Sequence, residues 1–167
     1  MSDDLPTAAE VRELLDYDPQ TGRFTWKVKV AQNVKAGGQA GGRDARGYWR
    51  VKVGGKDRGA HRLAWLYMTG EWPSGEIDHI DGNPGNNAWA NLRDVTKSVN
   101  QQNQRRAQVT NKSSGVLGVT WGVRQKKWRA VIRYAGKNMH LGYFHALGEA
   151  EDAYKTAKRQ LHAGCTI

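Results

Sequence analysis

Short runs that alternate apolar and charged side chains, each bounded by turn residues, limit this chain to small sheets with a few short helices. Residues 23–28 read Arg, Phe, Thr, Trp, Lys, Val, and residues 49–53 read Trp, Arg, Val, Lys, Val. Neighbours along a strand point to opposite faces, so each run buries one face and wets the other. Asp18, Pro19 and Gly22 mark a turn before the first run, and Gly54 with Gly55 turns the second into a short strand near 58–61. Helical patterning is equally brief. Thr7 and Glu10 have capping-box spacing ahead of Val11, Leu14 and Leu15. Leu63, Ala64, Leu66, Tyr67 and Met68 form a second stripe, stopped by Gly70 and Pro73. Between these, residues 32–47 are rich in glycine and basic residues and predict a long mobile loop.

A polar, basic stretch without apolar period, 101–114, predicts a linker. Beyond Gly115 the pattern changes to three strands at about 116–122, 127–134 and 137–144 and a helix at about 146–162. Leu147, Ala150, Tyr154, Ala157 and Leu161 share one face of that helix. The expected class is α+β, with a domain at 1–104, a linker at 105–114 and a second domain at 115–167.

Charge separates the same regions. Lys and Arg number 26 against 16 Asp and Glu, for a net charge of +10. Residues 61–100 hold 3 basic and 5 acidic side chains, whereas 101–167 hold 12 and 3. The C-terminal part is thus suited to a polyanion, and the slightly acidic middle to a cation. The single cysteine, Cys165, excludes an intrachain disulfide and a multi-cysteine zinc site and fits a reducing compartment. No apolar run approaches the ~20 residues of a membrane span. The acidic start, Met1, Ser2, Asp3, Asp4, lacks the pattern of a secretory signal. The expectation is a cytoplasmic protein of a bacterial or phage-infected cell, with no membrane partner, as a monomer or weak dimer.

The densest chemistry lies between Glu76 and Asn103. Ile77 leads into Asp78 and His79, a turn-rich loop follows, then Asn91 and Leu92, and then a short helix that Thr96 caps and that carries Asn100. Hydrolysis of a phosphodiester needs a base for water and a cation to offset charge on phosphate and leaving oxygen. His79 is a natural base near neutral pH. Asp78 and Asn100 offer the oxygen ligands that Mg²⁺ or Mn²⁺ accepts beside water and substrate phosphate. Asn91 can hold the second ring nitrogen of His79, through side chain or backbone. Asp81, Gly82 and Asn83 are turn-builders. Asn86, Asn87 and Asn103 are turn residues first, with hydrogen-bonded support of the site as the alternative. His61 is expected in packing or a phosphate contact before catalysis. One tension is inherent: strand neighbours point apart, so Asp78 and His79 share a site only where the strand ends or distorts.

This segment resembles the cysteine-free branch of the HNH endonucleases found in phage and homing-type enzymes. The lead-in from Ala60 to Trp65 resembles it too. The resemblance implies a ββα-metal fold with one divalent ion, Asp78 and Asn100 as metal ligands, His79 as general base and Asn91 orienting His79. Many members carry His where this chain has Asn100, and an amide suits Mg²⁺ or Mn²⁺ better than zinc.

In the C-terminal module, Trp128, Ala130, Ile132 and Tyr134 are expected to face the helix, leaving Lys127, Arg129, Val131 and Arg133 on an open face. Arg124 and Lys126 extend this basic surface from the preceding turn, and Asn138 and His140 flank it on the third strand. A basic sheet of this kind can enter a DNA major groove. Residues 114–162 resemble the AP2 DNA-binding domain in Gly118-Val119, Lys127-Trp128, Ala130, Ile132-Arg133 and the run from Leu141 to Phe144. The resemblance implies recognition of double-stranded DNA by the sheet, with Arg124, Arg129 and Arg133 as the best-matched contacts. Thr120, Val131, Asn138 and His140 stand where the family usually has charged or aromatic residues. The function expected is a metal-dependent DNA endonuclease targeted by this module. The alternatives are a non-catalytic, sequence-specific DNA-binding regulator and an RNA-binding protein.

Overall fold

The computed structural model describes residues 5–166. The chain forms two compact units, one ending at Lys97 and one beginning at Ser98. Both mix helices with small antiparallel sheets.

The first unit opens with helix α1 (Ala8–Leu14), whose capping box pairs Thr7 with Glu10 as the spacing predicts. The Thr7 backbone and hydroxyl hold the Glu10 carboxyl below its ordinary value. Leu15 does not extend the helix. It adopts extended backbone and starts strand β1 (Leu15–Asp18), which pairs with β2 (Arg23–Trp26) in the register Leu15↔Trp26. Burial of Leu15 is complete in that position, so the sheet satisfies its side chain better than another helical turn. Asp18 closes the hairpin, accepting from Gln20 N at 2.9 Å and Thr21 Oγ1 at 2.6 Å.

The glycine-rich stretch 32–47 is not the free loop its composition predicts. It contains strand β3 (Gly42–Arg43) and a fully buried Ala40. Ala40 N donates to Phe24 O at 2.8 Å, and Trp49 Nε1 donates to Ala40 O at 2.8 Å. Backbone and indole donors fasten the segment, and neither leaves an apolar period. Strand β3 continues into β4 (Trp49–Val53) and β5 (Lys56–Gly59), a sheet in the order β3-β4-β5. Helix α2 (Ala60–Thr69) begins at once, so His61 is helical rather than at a strand end. It stops at Gly70, whose φ of 88° gives the left-handed cap. Strands β6 (Glu76–His79) and β7 (Leu92–Val95) form the last hairpin. Val11, Leu15, Phe24, Val51, Leu63 and Leu66 are almost wholly buried in one core with Ile77 and Leu92. Each such side chain contributes about 1.5–3 kcal/mol.

Helix α3 (Lys97–Gln102) follows β7 after Thr96. In the second unit, β8 (Val119–Gly122), β9 (Lys127–Tyr134) and β10 (Lys137–Phe144) form a sheet in the order β10-β9-β8. Helix α4 (Leu147–Leu161) packs on it. Val119, Ala130 and Ile132 meet Ala150, Tyr154 and Ala157 in a separate core. Gly118 is required there: at φ 73°, a Cβ would lie 2.0 Å from the Tyr154 ring. Tyr134, expected beneath the helix, is 42% exposed at the end of β9.

The polar stretch before β8 is fixed as well. Asn111 Nδ2 donates to Val116 O and Val119 O, each at 2.8 Å. The buried Lys158 ammonium donates to Gln104 O, and Arg105 Nη2 donates to Thr166 Oγ1 at 2.6 Å. Polar side chains bonding to backbone do this, which is why hydropathy makes the segment look like a linker. No helix among the described residues is long and apolar enough to cross a membrane.

Candidate active site

The β6–β7 hairpin is clamped at its open end by Asp94. Its Oδ2 accepts from Ser74 N at 2.8 Å and Ser74 Oγ at 2.9 Å, and its Oδ1 accepts from Gly75 N at 2.8 Å. The register that follows pairs Asp78 with Arg93 and His79 with Leu92. Alternation then sends Asp78 and His79 to different neighbours. Asp78 Oδ2 accepts from Arg93 Nε at 2.9 Å and Nη2 at 2.7 Å, with the carboxylate buried.

His79 is the last residue of β6 and is 6% exposed. Its Nε2 lies 3.1 Å from Asn87 Oδ1, and Asn87 is itself 2% exposed. The His61 ring stands edge-on to His79 with centroids 5.3 Å apart, and Tyr48 lies 5.6 Å from His61 and 6.0 Å from His79. Burial, with the neighbouring His79, Arg62 and Arg50, pushes His61 down to about 4. His61 Nδ1 is buried without a hydrogen-bond partner. His61 and Tyr48 therefore flank the His79 ring. The Tyr48 contribution has no sequence signal, because Tyr48 sits in the turn before β4.

The loop from Ile80 to Asn91 is a lattice of carboxamide bonds. Asn91 Nδ2 donates to Asp81 Oδ1 at 2.9 Å and Asn86 O at 2.8 Å, and its Oδ1 accepts from Asp81 N at 2.9 Å. Ile80 N donates to Asn91 O at 2.9 Å, which ends the strand. Asn91 braces the loop, and Asn87 is the asparagine on His79. Both polar atoms of the Asn91 side chain bond within this loop, at Asp81 and Asn86. At Asp81, burial would raise the carboxyl, but hydrogen bonds from Asn86, Asn83 and Asn91 and the nearby His79 bring it below its ordinary value.

Asn87 is held from the N-terminal hairpin. Tyr17 Oη donates to Asn87 O at 2.7 Å, and burial raises the Tyr17 hydroxyl well above its ordinary pKa. Trp89 N donates to Pro19 O at 2.9 Å. Gly22, at φ 72°, lets the turn approach so closely that a Cβ would lie 2.1 Å from the Asn87 carbonyl carbon.

Asn100 lies on α3 and is partly buried. Among the described residues no group of three His, Cys, Asp or Glu side chains is arranged to hold a metal ion. An oxygen donor such as the Asp78 carboxylate suits a hard cation that keeps much of its shell for water and phosphate, and does not suit a closed zinc site.

In the second unit, Arg129 and Arg133 are exposed on β9. Arg129 is opposite Thr120 and Tyr143, Val131 is opposite His140, and Arg133 is opposite Asn138. Asn138 and His140 are exposed, and the His140 and Tyr143 rings lie 4.7 Å apart. Arg124 and Lys126 are exposed in the β8–β9 turn, with Lys126 at φ 50°. Trp121 meets Trp128 edge-on at 4.9 Å, on the side of the helix.

A family model described as HNH endonuclease matches residues 58–102. Protein 3.8 of Escherichia phage T7 is 33% identical over 103 residues, covering 61% of this chain and 83% of that protein. No solved structure matches the chain. The matched stretch runs from Arg58 through α2, the β6–β7 hairpin and α3, so it contains Asp78, His79, Asn87, Asn91 and Asn100. By these matches residues 58–102 form an HNH endonuclease domain, a family that implies a phosphodiester hydrolase, and the chain is a relative of protein 3.8 of phage T7.

Proposed function

We propose that the chain is a metal-dependent DNA endonuclease in which His79 is the general base. The observation that carries this reading is a buried imidazole at a strand end, held by Asn87 Oδ1 at 3.1 Å and flanked by His61 and Tyr48. An oxygen acceptor on Nε2 fixes the tautomer and the ring plane, which orients the imidazole to take a proton from water. Asn87 is a positioning residue in this scheme, and Asn91 holds the loop that presents it. Asp78 would hold one Mg²⁺ or Mn²⁺, with water and substrate phosphate filling much of the ion's shell. When bound, such an ion neutralises charge on the phosphate and the leaving oxygen. Arg93 fixes the Asp78 carboxylate in position.

The second unit supplies a DNA grip in this reading, as an AP2-like module. Arg129, Arg133, Asn138 and His140 on the open sheet face support it, with Arg124 and Lys126 at its edge. A broad basic sheet suits the major groove of duplex DNA better than the narrow groove of A-form RNA.

The test is incubation of supercoiled plasmid with wild type and His79→Ala, with and without Mg²⁺. Nicked or linear product is expected only from wild type with Mg²⁺. Intact plasmid with wild type, together with a retained gel shift, would leave a DNA-binding regulator and overturn the hydrolytic reading.

A further inference from the structure

Asn87, whose side chain meets His79, also lines an open cleft of about 280 Å³ in the first unit. Among the described residues, Arg23, Gln39, Arg43, Trp49 and Asn86 line it with Asn87, and no carboxylate does. Arg23 comes from β2 and Arg43 from β3, so two different strands deliver a cation to one place. Among the described residues neither guanidinium has a hydrogen bond or ion pair. Asp18, whose field Arg23 feels, spends its oxygens on Gln20 and Thr21. Arg43 reaches over the catalytic loop at Gly85, where a Cβ would lie 2.8 Å from its Nη2. The guanidinium thus lies directly against the loop backbone at Gly85.

We propose that this cleft binds backbone phosphates of the nucleic-acid strand beside the cleaved bond, with Arg23 and Arg43 as the phosphate contacts. The inference rests on the hydrolase reading for the word "cleaved", but the anion site stands on its own geometry. A guanidinium offers forked donors matched to phosphate oxygens. Gln39 and Asn86 add neutral amides of the kind that contact phosphate and sugar. Sharing Asn87 with His79 places the cleft next to the reacting centre, where a bound strand would be aligned for attack.

The experiment is fluorescence anisotropy of a labelled DNA duplex across a salt series, using full-length protein carrying His79→Ala so that nothing is cut. Arg23→Gln, Arg43→Gln and the double variant are compared with Lys29→Gln, an exposed charge elsewhere on the unit. Each cleft substitution should flatten the slope of log K against log salt by about 0.9, and the double variant by roughly twice that. Lys29→Gln should leave it unchanged. An unchanged slope for the double variant, or an equal change for Lys29→Gln, overturns the proposal. In the cleavage-competent background, Arg43→Gln should raise KM several-fold with kcat within about twofold of wild type. A fall in kcat at constant KM also overturns it. If wild type cuts nothing, the hydrolase reading fails, and the anisotropy arm alone still decides whether the cleft binds nucleic acid.

Discussion

His61 is the residue whose environment has the clearest thermodynamic consequence. Its pKa of about 4 in the folded chain is below the ~6.5 of an unfolded histidine. The groups around it are His79, Tyr48, Arg62 and Arg50. As pH falls, the unfolded chain takes up this proton first. The stability tied to His61 is therefore complete above about pH 6.5 and declines towards pH 4, by roughly 3 kcal/mol at full loss. Urea unfolding at a series of pH values should show this decline in wild type and a flatter profile in His61→Phe. The depressed Asp81 acts lower, with its contribution present above the usual carboxylate range and lost only as pH falls through its folded value. At this scale the sequence was partly legible. Asp78 and His79 stand out because no turn needs a histidine. The division of labour between Asn87 and Asn91 was not legible, because two asparagines in one loop are chemically alike until the backbone decides which side chain each carbonyl and amide takes.

Elements with one apolar face were readable, and elements defined by their partners were not. Strands β2, β4 and β9 alternate visibly, and α4 carries its apolar stripe from Leu147 to Leu161. Strand β7, with the sequence Leu, Arg, Asp, Val, has no such face. It exists because Asp94 fastens its end and Arg93 pairs with Asp78. Strand β1 likewise depends on its pairing with β2. The β1–β2 turn matters beyond its own hairpin, since it presses on the Asn87 backbone. Gly22→Ala should cost at least about 1–2 kcal/mol for a left-handed alanine. It should also displace Asn87 and lower kcat on the order of tenfold to a hundredfold. Thermal melts and single-turnover cleavage check the two effects separately.

The whole molecule carries two hydrophobic cores, one around Leu63 and Leu66 and one around Ile132 and Tyr154. Each should melt with its own cooperativity. Leu63→Ala and Ile132→Ala should each remove about 2–5 kcal/mol. Scanning calorimetry should show each variant lowering a different part of the unfolding endotherm. A single transition shifted equally by both would contradict this. The charge bias and the change of pattern near Gly115 made the existence of a second unit legible in the sequence. The hydrogen bonds that order the polar stretch from Gln104 to Ser114 leave no mark on hydropathy, so they could not be read from the sequence. The hydroxyl of Tyr17 on the Asn87 carbonyl has a practical corollary. Anyone seeking a minimal catalytic cassette would be drawn to residues 58–102, the portion the family shares. Such an excision would keep every motif residue and discard the hairpin that holds the Asn87 backbone. The smallest transplantable unit has to start upstream of the opening hairpin.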